Sequence, residues 1–378
     1  MFRSTINLFF CCLVITAGTS CKKNVQAKTN NQTTEVRSES GATICTGVVT
    51  TLAGGSPSGY VNATGSAARF SRPTGVSWYG SGKLLVTDET NDVIRMVTTD
   101  GIVTTFAGVG PPVPGGFADG PLLIARFQGP YSVISNGTVA TYVVDQYMTT
   151  VRTIRGGIVS LGAGTGWEGY RDGPASIASF FLLSDVAYDK LTGRLILADM
   201  GNCCIRTLSP DGIVRTLVGS GYEHCGYENG PVAAAKVRSV QGVAVDAVGN
   251  IFFCDVGNYR IRKITPEGIV STYAGSGIFG NVDDKLLKAQ FKCPTRIAID
   301  GSGNLYVTDV LAHCIRRIGV DGYVTTLTGY KDGFADGSLE TALFSGPKGI
   351  AVNNAGNTIY VADGENNRIR KISLGVCP

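Results

Sequence analysis

The chain has 378 residues, 43% of them hydrophobic and 16% charged, with a formal net charge of +4. That is enough apolar material for one large core, and too little charge to set up a strong field toward nucleic acid or an anionic membrane. The 51 glycines in so hydrophobic a chain indicate many tight turns rather than disorder.

In chain order, residues 1–20 come first, with one early arginine, the apolar run INLFFCCLVITAG and small residues at Gly18 and Ser20. This is the pattern of a secretory signal peptide. Residues 21–44 follow as a polar flexible tether and 45–378 as the folded domain. Two processing routes stand open. In a bacterial lipoprotein the chain would be cut before Cys21 and acylated there. In a eukaryotic route the N-x-[S/T] sequons at Asn31, Asn62 and Asn136 would carry glycans. Both place the mature chain, without a transmembrane segment, outside the cell, secreted or on its surface.

Beyond the tether, one register recurs six times at a spacing of 53 to 57 residues. An apolar ladder runs Phe70, Phe127, Phe180, Val237, Phe291 and Phe344, each with an alanine two residues earlier. An acidic ladder runs Asp88, Asp145, Asp199, Asp255, Asp309 and Asp363, and a basic one follows each aspartate by seven residues: Arg95, Arg152, Arg206, Arg262, Arg316 and Arg370. A G-[Y/F]-x-[D/N] signature starts eleven residues before the apolar ladder at Gly59, Gly116, Gly169 and Gly226, and in weaker form at Gly280 and Gly333.

Each unit reads as four short strands. Between 237 and 273, QGVAVD, NIFFCD, RIRKIT and IVSTYAG are separated by A-V-G-N, V-G-N-Y and P-E-G, which is turn chemistry. No stretch after residue 45 keeps apolar residues at helical spacing for ten positions. Six four-stranded units make an all-β, six-bladed β-propeller. Residues 47–54, GVVTTLAG, match the fourth strand GIVTTFAG at 101–108, whereas the last unit stops at its third strand, RIRKIS. The N-terminal strand is therefore expected to complete the sixth blade, removing the open edges. Cys45 and Cys377 flank that closure, and a disulfide between them is predicted.

The sequences GVAVDAVGNIFFCDVGNYRIRKI at 242–264 and GIAVNNAGNTIYVADGENNRIRKI at 349–372 resemble the NHL repeat. The resemblance extends over residues 46–373, and the unit around 131–154 departs most, with T-T-V-R in place of N-x-R-I-R. It implies a propeller scaffold. Some six-bladed relatives are lyases or metal-dependent lactonases, and RNA-binding NHL domains carry basic faces.

Loops between blades and second-to-third-strand turns open on one face, here the loop face; hairpin turns open on the other. Cys203, Cys204, Cys225, Cys254, Cys293 and Cys314 gather at the loop face, with Cys293–Cys314, flanking one blade, as the preferred pair. His224 and His313 beside Cys225 and Cys314 raise the question of zinc. The spacings fit no compact zinc motif, and an oxidising compartment favours disulfides, so no metal is assigned. The arginine ladder shares its period with the aspartates and is read as structural; no nucleic-acid partner is expected.

Function is sought where the repeats disagree. At the start of the innermost strands, facing the channel mouth, stand Tyr131, Asp185, Gln241, Arg296 and Lys348, while Trp167, Tyr222 and the loop 109–116 belong to the loop face. The expectation is a monomeric module that binds protein or glycan through that face, without a cofactor. The alternative is a lactonase-like or lyase-like enzyme at the channel mouth. Only two histidines exist, both outside the innermost strands, which removes a lyase-type histidine site. Asp185 is the sole carboxylate at the strand starts, so a divalent cation there stays open, and neither a G-x-S-x-G nor a phosphate loop is found.

Overall fold

The computed structural model describes residues 46–137 and 139–375. The signal and tether segments, Cys21, Asn31 and the expected Cys45–Cys377 bridge lie outside the described residues. Within them the chain forms six small antiparallel sheets arranged as a six-bladed β-propeller. The fourth blade shows the plan: Val240–Val245 innermost, then Ile251–Asp255, Arg260–Ile264 and Ile269–Ala274. The innermost strands of the other blades are Pro73–Gly80, Pro130–Ser135, Leu183–Tyr188, Pro294–Ile299 and Pro347–Val352.

Closure is as the repeat register demands. Gly47–Gly54 pairs antiparallel with Arg368–Leu374, from Gly47 opposite Leu374 to Gly54 opposite Arg368. The first strand of the chain is thus the outer strand of the last blade. Five of the six sheets gain a fifth strand of two residues, such as Gly120–Pro121 against Ile158–Ala163. These pieces belong to the long loop that leads into each blade, and they cover the outer edge that would otherwise offer unpaired backbone groups.

The second strand of each blade ends in its ladder aspartate and runs into a tight turn, a single 3-10 turn in the first five blades, whose last position is left-handed. Asp92, Thr149, Cys203, Tyr259, His313 and Asn367 occupy it with φ between 49° and 56°. The divergent second blade makes the same turn, Gln146–Met148 followed by Thr149. Core clusters form between neighbouring blades. Phe70, Val76, Leu84 and Val86 of the first blade, for instance, pack on Ala351, Tyr360 and Ala362 of the sixth.

Candidate functional site

The ladder residues are the largest fully buried polar groups among the described residues. All six arginines and their aspartates have no exposed surface. Arg95 donates to Asp88 at 2.7 Å, Arg206 to Asp199 at 2.8 Å, Arg262 to Asp255 at 2.7 Å and Arg370 to Asp363 at 2.8 Å. Each ladder arginine also reaches the last residue of the G-[Y/F]-x-[D/N] signature: Asn62, Asp119, Asp172, Asn229, Asp283 or Asp336. The signature aromatic lies on the guanidinium in five blades, as Phe117 does on Arg152 at 4.3 Å and Phe334 on Arg370 at 4.9 Å. The copy at Gly333 is therefore complete, and the one at Gly280, where Asn281 stands in for the aromatic, is not.

The ladders thus bolt each inter-blade loop to the blade it enters, and a basic ring for an anionic polymer is absent. Asn62, read as a sequon, directs its amide to Arg95 and Thr105. Burial raises the aspartate pKa values, with the arginines opposing: Asp88 and Asp199 are pushed up to about 6 and Asp145 to about 8.

The channel is built from the residues at which the repeats differ. One register of the innermost strands reads Gly75, Ser132, Asp185, Gly242, Arg296 and Gly349. The glycines are required by close approach: a Cβ on Gly349 would stand 2.7 Å from Val76 N, and one on Gly242 would stand 2.6 Å from Thr295 O. Asp185 and Arg296 reach across the gap that the glycines leave. Asp185 accepts from Ser132 Oγ at 2.5 Å and from Val243 N at 2.9 Å, on the blades to either side. Arg296 donates through Nη2 to Ser184 O at 2.5 Å and Tyr131 O at 3.4 Å, and its Nε lies 3.5 Å from Asp185.

Tyr131 lies under both cations, 4.9 Å from the Arg296 guanidinium and 5.6 Å from Lys348 Nζ. Four of the residues singled out in the sequence, Tyr131, Asp185, Arg296 and Lys348, are thus one assembly. Gln241 adjoins it through its carbonyl, which accepts from Ser184 Oγ at 2.9 Å.

Sequence reasoning placed the open space at the strand starts; the structure places it on the other side of this layer. A cavity of about 320 Å³ runs from Asp185 and Arg296 toward the hairpin face, past Ser135, Tyr188, Val245 and Ile299. No sequence signal marks it, because its walls are Val76, Val133, Val186, Val243, Ile297 and Ile350, which read as ordinary core.

At the loop face Trp167 is 79% exposed and Tyr222 70%, at matching positions of successive inter-blade loops. The Tyr222 loop is tied down by a Cys203–Cys225 disulfide, from the left-handed position of the preceding turn. This is a different pair from the Cys293–Cys314 preferred from the sequence; Cys314 is a buried thiol at the start of a strand, facing the Arg316 site. The bridge removes Cys203 and Cys225 as zinc ligands, and no cluster of metal-binding side chains occurs among the described residues. Nor is any helix among them long and apolar enough to cross a membrane.

The comparisons agree with this architecture. The NHL repeat model matches residues 344–372. The chain is 38% identical over 93 residues to NHL repeat-containing protein 2 of Gallus gallus, covering 24% of this chain and 12% of that protein. It is 27% identical over 278 residues to the chloroplastic protein Suppressor of quenching 1 of Arabidopsis thaliana, covering 68% of this chain and 26% of that one. The chain spans only a minor part of either relative. Among solved structures, an auxiliary nutrient binding protein from Bacteroides thetaiotaomicron superposes with a TM-score of 0.66 at 14% identity, covering 88% of this chain and 78% of that one. The chain thus carries a matched NHL repeat in its last blade and has the six-bladed β-propeller fold.

Proposed function

We propose that this propeller is an extracellular binding module that captures a protein or glycan partner through its loop face. The carrying observation is the pair Trp167 and Tyr222, large aromatic rings held in water on adjacent loops, one of them fixed by the Cys203–Cys225 bridge. Exposed aromatics on rigid loops give contact area at little entropic cost. A disulfide supports an oxidising location, and the nutrient-binding description of a fold neighbour is compatible with capture outside the cell. The commitment of both Asp185 oxygens to protein donors favours binding over metal-assisted hydrolysis.

The test is retention on a panel of immobilised polysaccharides and surface proteins, wild type against the double variant Trp167→Ala/Tyr222→Ala. Retention lost at an unchanged melting temperature supports the loop face. Equal retention of the two removes it.

A further inference from the structure

The six ladder arginines set a standard for how this fold treats a buried guanidinium: each donates to at least one carboxylate within 2.9 Å. Arg296 is 6% exposed and departs from that standard. Its two hydrogen bonds go through Nη2 to neutral carbonyls, and its carboxylate neighbour Asp185 is 3.5 Å from Nε and occupied by Ser132 and Val243. Among the described residues neither Nε nor Nη1 has a hydrogen-bond acceptor, yet neither atom is among the sealed, unpartnered ones. The guanidinium instead lines the channel cavity.

Asp185 supplies a counter-charge at 3.5 Å but no direct hydrogen bond, and Lys348 adds a second cation beside Tyr131, so the Arg296 donors left over can take a further acceptor; a carboxylate matches the guanidinium fork in two parallel bonds. The rest of the cavity fixes what the carboxylate must be attached to. Above Arg296 the lining alternates six valine and isoleucine residues with small ones such as Ser77, Ala244 and Ala298, and carries no charged group until Lys190 at the hairpin-face rim. About 320 Å³ lies at the lower end of the range for small-ligand pockets. We infer that the channel is a second binding site, entered from the hairpin face, for a small monocarboxylate with an apolar body, its carboxylate on Arg296 and its body along the valine and isoleucine residues. The site is independent of the loop face, because Trp167 and Tyr222 lie on the opposite side of the Asp185–Arg296 layer.

The test uses the whole folded chain and calorimetric titration with octanoate, with octanol as the uncharged control of equal length. Saturable one-to-one binding of octanoate, at least about tenfold tighter than octanol, is expected from loss of one charge-assisted fork. Arg296→Gln should weaken octanoate to the level of octanol. Trp167→Ala should leave octanoate binding unchanged, so failure of the loop-face reading and failure of this one are told apart. Absence of octanoate binding to the wild type overturns the inference without reference to any variant. So does equal binding of octanoate and octanol.

Discussion

Asp145 and Arg152 stand 3.5 Å apart at the centre of the second blade, whereas Asp88 and Arg95 make the same contact at 2.7 Å in the first. The difference follows from one neighbouring position. Asn91, Asn202, Asn258 and Asn366 each donate an amide hydrogen to the ladder aspartate of their blade and another to the carbonyl of the signature glycine. The second blade has Met148 there and the fifth has Ala312, and these two blades hold the long pairs, 3.5 Å and 3.9 Å. Asp145 Oδ2 is left without a hydrogen bond in consequence. Met148→Asn and Ala312→Asn should each restore the missing donor in a turn whose backbone already matches. A gain of about 1 kcal/mol apiece is expected, read as a rise of roughly 2 °C in melting temperature.

The same substitution carries a pH signature. Burial pushes Asp145 from 3.8 up to about 8, so the fold prefers its protonated form. Its contribution to stability is complete below 3.8 and is lost as the pH rises through 8. An asparagine donor stabilises the ionised form and lowers that pKa. The stability difference between Met148→Asn and wild type should therefore grow from pH 5 to pH 8, measured by urea titration at each pH. A difference that shrinks over that interval would contradict the assignment.

Removing a ladder arginine should cost far more than adding the donor gains. Arg206 has no exposed surface and serves Asp199, Asp172 and the carbonyls of Arg171 and Ser179. Arg206→Met leaves a buried carboxylate without its cation and frees the loop 164–172. The expected loss is about 3–5 kcal/mol, seen as a lower denaturation midpoint. The double change Arg206→Met/Asp199→Asn should recover part of it, because the uncompensated charge is then gone.

The sequence carries this scaffold plainly because a repeat states each contact six times. The period of Asp88, Arg95 and Phe70 across the units specifies strands, turns and closure, and even the structural role of the arginines, since the aspartates keep step with them. What is not repeated is harder to read. Cys203 and Cys225 are brought together by a left-handed residue and a loop path, and pairing among six cysteines on one face depends on distances no spacing encodes. Tyr131, Asp185, Arg296 and Lys348 could be singled out as exceptions to the repeat, but their convergence depends on long side chains crossing from blade to blade. The cavity wall is hidden for the opposite reason: Val186 and Ile297 obey the repeat and belong to the inter-blade core clusters while also bordering the channel.

The Cys203–Cys225 bridge spans a sequence separation of 22 and joins a loop to a turn at the rim. Cys203→Ser/Cys225→Ser should lower stability by about 3 kcal/mol on the loop-entropy estimate. Limited proteolysis should then cut first between Ser220 and Glu228, while the blade core stays protected.

Gly349 tests the ring itself. Its α-carbon faces the backbone of Gly75 and Val76 on the first blade, where an added Cβ would come within 2.7 Å of Val76 N and 2.8 Å of Gly75 C. Those atoms are main chain and cannot rotate away, so Gly349→Ala must push the sixth blade off the first at the seam that also holds the N-terminal strand. Overpacking of a close-packed contact costs about 1–3 kcal/mol. Gly65→Ala is the control at an open site, since nothing lies within 4 Å of its Cβ and only its φ of +57° is unfavourable. Chemical denaturation should rank Gly349→Ala below Gly65→Ala. Hydrogen exchange should localise the loss to Pro73–Gly80 and Pro347–Val352, the two strands that meet at the seam.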